Sequence, residues 1–388
     1  MRLPVKLLKY LLTICSFTLL CACSIISGIG KDNAPAPTAL TSFQPEVSAK
    51  QAWSGSVEGS GVKDYLKLGP VIDNKIFVAS PNGEVTAFDA NTGARVWENN
   101  IHVPITSGPA AGNGLVVVGT SDAQVIALNE GNGAEVWHIT VPNALLAAPQ
   151  IAYDRVIVRT VDGKLVALSL QDGHIIWLYD HGSPILTLRA NSVPQIVGNK
   201  IVAGFADGKL AAYSLDQGRL LWEQTIAQPQ GVTDAAQLVD VVADPVISGD
   251  VIFVATYQGK IAAVSLSTGQ ILWQKDISTY TGLALGRGLL FVTDADSTVW
   301  AFNRSNGNVV WKQTQLAYRV ITAPVVMDNT LVVADGEGYL HWLSQSDGRT
   351  VGRVVVKEKD AIAAPPAVFG NKVYVVTKKG YLSAWQVL

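Results

Sequence analysis

The side chains best able to do covalent or metal chemistry are few in this 388-residue chain: three cysteines, at 15, 21 and 23, and five histidines, at 102, 138, 174, 181 and 341. No two histidines stand two or four residues apart, the spacing that would place both on one face of a strand or helix to grip a metal. The chain has no His-Glu-x-x-His, Cys-x-x-Cys or Gly-x-Ser-x-Gly, and no phosphate-binding loop. Zinc hydrolysis, dithiol exchange, serine-ester chemistry and nucleotide binding of those kinds lack their residue sets, so no catalytic, metal or cofactor residue is assigned. Asp162, Asp207 and Asp294 fall in turn sequences, and His138 and His174 fall in or beside outer strands where a solvated imidazole is expected. Three cysteines cannot staple a chain of this length. With 29 basic and 31 acidic residues there is no basic field to bind nucleic acid. A hydrophobic content of 48% excludes a disordered chain.

The cysteines do suggest one reaction, in which the chain is the substrate. Arg2, Lys6 and Lys9 precede an uncharged apolar run from Tyr10 to Ala22. Thirteen residues of helix at about 1.5 Å each reach about 20 Å, short of a ~30 Å hydrocarbon core, so the run reads as a secretory signal rather than a span. It ends in Leu20-Cys21-Ala22-Cys23, which resembles the bacterial lipobox. That resemblance implies diacylglyceryl transfer to the Cys23 thiol, cleavage before it and N-acylation. Cys15 and Cys21 leave with residues 1–22, and the remaining 366 residues carry 26 basic and 31 acidic side chains. Several acyl chains anchor stably where one is marginal. Ser24, where lipoproteins kept at the inner membrane usually have Asp, implies sorting to the outer membrane. Residues 23–50 hold Pro35, Pro37 and Pro45 among small and polar residues and read as a flexible tether.

The elements that would position any site come from a repeat of about 40 residues over 51–388. In its first complete copy, Asp73-Asn74-Lys75, Pro81-Asn82-Gly83 and Asn91-Thr92-Gly93 are turn sequences that separate β-branched or alternating runs. The second-turn position recurs at Gly83, Ala123, Gly163, Gly208, Gly259, Ser297, Gly338 and Gly380. Four residues on come Ala87, Ala127, Ala167, Ala212, Ala263, Ala301, Trp342 and Ala384. Four residues after the third-turn glycine stand Trp97, Trp137, Trp177, Trp222, Trp273 and Trp311, with Gly352 in the seventh place. Eight copies of four strands predict an all-β, eight-bladed β-propeller of four-stranded antiparallel blades. The last copy stops before its fourth strand, and Trp53 lies ahead of the first. The N-terminal strand is therefore expected to complete the C-terminal blade and close the ring, hiding two edges. The indoles are read as filler between the outer parts of neighbouring blades rather than as sugar- or cofactor-stacking surfaces.

The motif Ala-x-Asp-x-x-x-Gly-x-x-x-Trp, whole at Ala87 to Trp97, resembles the repeat of the quinoprotein (PQQ) alcohol dehydrogenases, which are also eight-bladed. Those enzymes imply an adjacent cysteine pair, a calcium-binding set and a catalytic Asp, and no position here matches them. A periplasmic quinoprotein dehydrogenase and a glycan- or murein-binding propeller remain the rival readings. The first would give a quinone spectrum on reconstitution with calcium, the second retention on peptidoglycan.

Interruptions of the repeat carry the functional signal, because long loops on a rigid scaffold are binding elements. From outer-strand Trp to the start of the next blade the chain takes 17 residues after Trp177 and 23 after Trp222, against 10 to 14 at most other junctions. These consecutive loops should lie side by side. One carries Ile185-Leu186-Thr187-Leu188-Arg189, the other Gln237-Leu238-Val239-Asp240-Val241-Val242-Ala243-Asp244. Apolar anchors with a charged rim describe a protein-binding patch. The same residues would also serve as core caps, with Arg189 paired to Asp240 or Asp244 inside the molecule, and the sequence leaves both open.

Lipobox, tether, eight blades without enzyme residues and these two loops together resemble the BamB family, propeller lipoproteins of the outer-membrane β-barrel assembly (BAM) machinery. The resemblance implies a non-enzymatic periplasmic scaffold at the outer membrane, docked on the POTRA domains of BamA. The family's Leu-x-Leu-Arg segment matches Leu186, Leu188 and Arg189, and its Leu-x-Asp segment matches Leu238 and Asp240. The family's second acid falls at Val242 here, and the next acid is Asp244. Outer strands offer nascent outer-membrane proteins a route by β-augmentation, although propeller edges are short and protected.

Overall fold

Tight turns set the architecture. Asp73 and Asn74 both take the left-handed conformation (φ 45° and 59°), which a two-residue hairpin with the right twist requires. Ala123 and Ser297 adopt φ of 60° and 66° in the second-turn position that glycine fills elsewhere, so the repeat register holds where its signature residue is missing. The computed structural model describes residues 35–57, 66–184, 186–188, 192–230, 233–279, 281–362 and 364–388. The expected signal segment 1–22 and Cys23 lie outside the described residues.

Eight antiparallel sheets make up the described residues; seven run from inner to outer strand in sequence order, and the eighth takes its outer strand from the N-terminal end. Blade 4 is typical: Gln195–Val197, Lys200–Gly204, Lys209–Ser214 and Leu220–Thr225. Seven sheets have four strands; in blade 1 the innermost strand is reduced to a single bridge between Ile72 and Lys75. Pro70, with no N–H to donate, stands just ahead of that bridge. The ring closes as expected: Ala49–Ser56 pairs antiparallel with Tyr381–Val387, Trp53 opposite Ala384.

The tryptophans join blade to blade. In every case the indole of one blade's outer strand lies on the third-turn glycine of the next. Trp137, for example, covers Gly173, where a Cβ would meet the ring at 2.5 Å. Its Nε1 donates to Leu170 O at 2.9 Å. Trp53, Trp97, Trp177, Trp222, Trp273 and Trp311 repeat the contact on the glycines and carbonyls of their own neighbours. The glycine is thus required twice, for φ 74° and for the indole above it.

The eighth junction is built differently, and this explains the departures at 342 and 352. Elsewhere alanine faces the outer-strand tryptophan across the ladder, as Ala87 faces Trp97; in blade 7, Trp342 faces Gly352. The indole has moved from the outer strand to the buried third strand. Blade 8 draws its outer strand from the other end of the chain, so it has no third turn for an indole to cover. Val47 lies over Gly352 instead, 3.0 Å from where a Cβ would stand. Residues 38–47 form a strap along blade 7. Thr38 N donates to Ala317 O, and Glu46 N and Val47 N donate to Val351 O. Arg319 and Arg353 donate to Thr38 O and Thr41 O, and the Glu46 carboxylate pairs with Arg349 at 2.8 Å. Arg319 is itself held in a buried pair with Asp335 at 2.7 Å, shared by His341 at 2.9 Å.

Candidate functional site

The long loops join blade 3 to blade 4 (residues 181–194) and blade 4 to blade 5 (residues 226–245), and they meet as expected. The first leaves the strand Ile175–Asp180 at His181. That imidazole stacks on Phe205 with centroids 3.6 Å apart and places its nitrogens 3.2 Å from Asp207 and 3.6 Å from Glu223. Lys209 balances Glu223 at 2.8 Å. Asp207, expected only to serve a turn, therefore helps fix the loop's base.

Beyond the base, Leu186 and Leu188 are 50% and 38% exposed. Arg189 lies outside the described residues. In the second loop a short 3-10 turn, Asp234–Gln237, leads to Leu238, which is half-buried, and then to Val239, Val241, Val242 and Ala243, all buried. Val241 bridges to Thr256 and packs on Gly204, where any Cβ would fall 2.2 Å from its methyl. The valines thus cap the core of blades 4 and 5, while the leucines of the first loop remain available to solvent. Of the two readings the sequence left open, core capping holds for the apolar residues from Val239 to Ala243, while Leu186 and Leu188 take no part in it.

Asp240 turns inward, whereas Asp244 keeps 35% of its side chain exposed. Asp240 has no exposed surface; its Oδ1 accepts the Leu188 N–H at 3.0 Å, and its Oδ2 has no hydrogen-bond partner among the described residues. Burial pushes this carboxyl up to about 6, against the Leu188 hydrogen bond and the nearby Arg159 charge. Asp244 accepts the Val193 N–H at 2.8 Å through Oδ1 and pairs with Lys67 at 2.6 Å through Oδ2. Ser192 Oγ donates to Ala243 O at 3.0 Å. Three links therefore staple the first loop onto the second, and Lys67 joins the chain-closure segment to them. Beside Asp244 opens a cavity of about 400 Å³ lined by Leu283, Val320, Ile362 and Lys378.

One contributor was missed by sequence reasoning. Arg159, at the end of the blade 3 strand Arg155–Arg159, is buried, lines a small cavity together with Asp240, and donates from Nη1 to Gly204 O at 2.5 Å. Burial lowers its guanidinium to about 10, partly offset by Asp244 and Asp240. The repeat register holds the signal that could have found it. Four residues before the second-turn position stand Ala79, Gly119, Gly204, Ala255, Thr293, Ala334 and Val376, and in blade 3 that place is Arg159. As for metals, no group of three or more His, Cys, Asp or Glu gathers to hold one among the described residues.

A family profile described as outer membrane protein assembly factor BamB matches residues 81–313. The outer membrane protein assembly factor BamB of Legionella pneumophila (strain Paris) is 42% identical over 384 residues, spanning 98% of this chain and 100% of that one. The chain belongs to the BamB family. Among solved structures, BamB from Moraxella catarrhalis superposes with a TM-score of 0.78 at 26% identity, covering 86% of this chain and 100% of that one. A quinohemoprotein alcohol dehydrogenase from Pseudomonas putida HK5 superposes with a TM-score of 0.73 at 12% identity, covering 87% and 76%. That likeness shows the shared propeller alone. BamB-family membership favours an assembly factor for outer membrane proteins over the dehydrogenase and glycan-binding readings.

Proposed function

We propose that this BamB-family protein is a non-enzymatic scaffold of the BAM complex, lipid-anchored through Cys23 on the periplasmic face of the outer membrane and docked on the POTRA domains of BamA. The observation that carries this reading is the exposure of Leu186 and Leu188 on a loop whose backbone is fixed from beneath by Asp240 and Asp244. Exposed apolar side chains on a pre-ordered backbone bind without a large ordering cost. Leu186, Leu188, Arg189 and the half-buried Leu238 form the contact surface, and Asp240 and Asp244 act below it rather than touching the partner. Acylation confines the ring to the inner leaflet of the outer membrane and raises its effective concentration at the insertase. Nascent outer-membrane proteins pass to the insertase that the scaffold orients.

The test is co-purification with BamA POTRA domains. Arg189→Glu and Leu188→Asp should each lose most of the complex while the ring melts at its usual temperature. Full retention of the complex by both variants rejects the docking surface. Labelling with radioactive palmitate, lost in Cys23→Ser, tests the anchor.

A further inference from the structure

We propose that the cavity of about 400 Å³ beside Asp244 is a second binding site, which takes an extended polypeptide segment with a bulky apolar side chain flanked by carboxylates. Neither Leu186 nor Leu188 lines it, so the site stands apart from the docking reading above.

Leu283, Ile321, Pro324, Ile362 and Pro365 give the cavity apolar walls, and its volume lies within the ~300–1,000 Å³ usual for ligand pockets. Val320 also lines it and is 62% exposed. This β-branched residue is held at φ 53°, in the left-handed region that such side chains avoid. Its side chain gains little burial in return, and glycine would remove the strain. The backbone around it is nonetheless fixed. Arg319 O accepts the Gly336 N–H at 2.8 Å, the Thr322 N–H donates to Ala334 O at 2.9 Å, and the Arg319 guanidinium is bound to the buried Asp335 at 2.7 Å. A rigid frame thus holds an exposed apolar side chain at the rim of an apolar hollow, which suits a ligand's side chain better than it serves the fold.

Charge supplies the other half of the recognition. Lys378 lines the cavity, and Lys357, Lys359 and Lys379 are exposed on the same two turns and loop of blades 7 and 8. Backbone hydrogen bonds bring these segments together: the Lys378 N–H donates to Ala361 O, the Lys357 N–H to Gly338 O and the Lys359 N–H to Glu337 O. Asp360 is buried among them and accepts from Thr377 Oγ1 and the Lys379 N–H. Asp244 is paired with Lys67. Glu337 and Glu358 are then the acids left beside Lys357, Lys359, Lys378 and Lys379. In a chain with 29 basic and 31 acidic residues, this local excess of base is complementary to carboxylates. A membrane surface would meet the lysines but could not fill the hollow, so a peptide is the better fit.

The experiment titrates the full mature chain, without BamA, against a fluorescein-labelled peptide that carries one phenylalanine between two pairs of aspartates, read by fluorescence anisotropy. Peptides with alanine for the phenylalanine, or lysines for the aspartates, should bind at least tenfold more weakly. Val320→Gly should melt no lower than the parent, because strain is relieved, yet bind the first peptide at least fivefold more weakly. Lys378→Glu/Lys379→Glu should weaken binding at least tenfold, and Leu186→Asp/Leu188→Asp should bind like the parent. Equal binding of the three peptides overturns the proposal, as does parent-like binding by the Val320 and lysine variants. A lower melting temperature for Val320→Gly also overturns it, because the side chain would then be a support of the fold. Loss of binding in Leu186→Asp/Leu188→Asp rejects this site and assigns the peptide to the docking patch. Retention on phosphatidylglycerol vesicles that needs the lysines but not Val320, with no preference for the phenylalanine peptide, rejects it in favour of a membrane contact.

Discussion

Seven junctions of the ring and the loop cluster over blades 3 to 5 are held by opposite means. Each junction repeats one clamp, an indole on a glycine with a single hydrogen bond to a neighbouring carbonyl. The loop cluster uses Arg159, Asp240, Asp244 and Lys67 once each, and two of these charges lie fully inside. Apolar stacking gives stability at low risk because its strength depends little on register. Buried charge adds little net stability but tolerates only one geometry. The ring is therefore the part built to persist, and the cluster is the part built to present a defined surface.

Breaking a clamp should have the largest effect on stability. Trp137→Ala removes the indole that covers Gly173 and opens a cavity between blades 3 and 2, which should cost about 3–5 kcal/mol in chemical denaturation. A loss below about 1 kcal/mol would show that the indoles are dispensable. The strapped junction gives the second test. Gly352→Leu drives a side chain into Val47 and should cost about 1–3 kcal/mol by overpacking, with new protease cleavage within residues 38–47. A variant as stable as the parent and uncut there would mean that the strap does not depend on this contact.

The cluster predicts a pH effect that the clamps cannot give. The Asp240 carboxyl titrates near 6 when folded, against 3.8 for the free side chain, so the folded state binds the proton more tightly. The favourable contribution is complete below about pH 4 and lost as pH rises through about 6. Arg159 favours the ionised form and Asp207 opposes it. Stability of the parent should fall between pH 5 and pH 7.5 relative to Asp240→Asn, which has no proton to lose. Parallel denaturation curves for the two proteins would contradict the inward placement of Asp240. The smallest effect belongs to Glu46→Ala, which breaks an exposed pair with Arg349 and should cost under about 1 kcal/mol. A larger loss would make the strap a principal support of ring closure.

The same contrast decides what could be read from the chain alone. Clamps are legible because glycine and tryptophan recur at fixed spacing, and the exceptions at Trp342 and Gly352 mark the one junction made differently. Loop lengths pointed to the two loops, because insertions between short blades stand out, and the family's Leu-x-Leu-Arg segment picked out Leu186 and Leu188 within the first. The burial of Asp240 and the use of both Asp240 and Asp244 as backbone acceptors were hidden: a carboxylate that accepts a backbone N–H and one that rims a patch look alike in sequence. Arg159 was legible in principle as the lone charge in a small-residue position, but only once the eight copies are aligned on their second turn. The residues from 38 to 47 read as tether from Pro45 and their small and polar residues. Their attachment to blade 7 depends on Arg319, Arg349 and Arg353, which lie about 300 residues away.

The claim that the leucines of the first loop meet the partner is tested most directly by titrating the mature chain and its Leu186→Asp/Leu188→Asp variant against BamA POTRA domains. Affinity should fall at least a hundredfold with the melting temperature unchanged, since both side chains already face solvent. Equal affinity of the two proteins would contradict it.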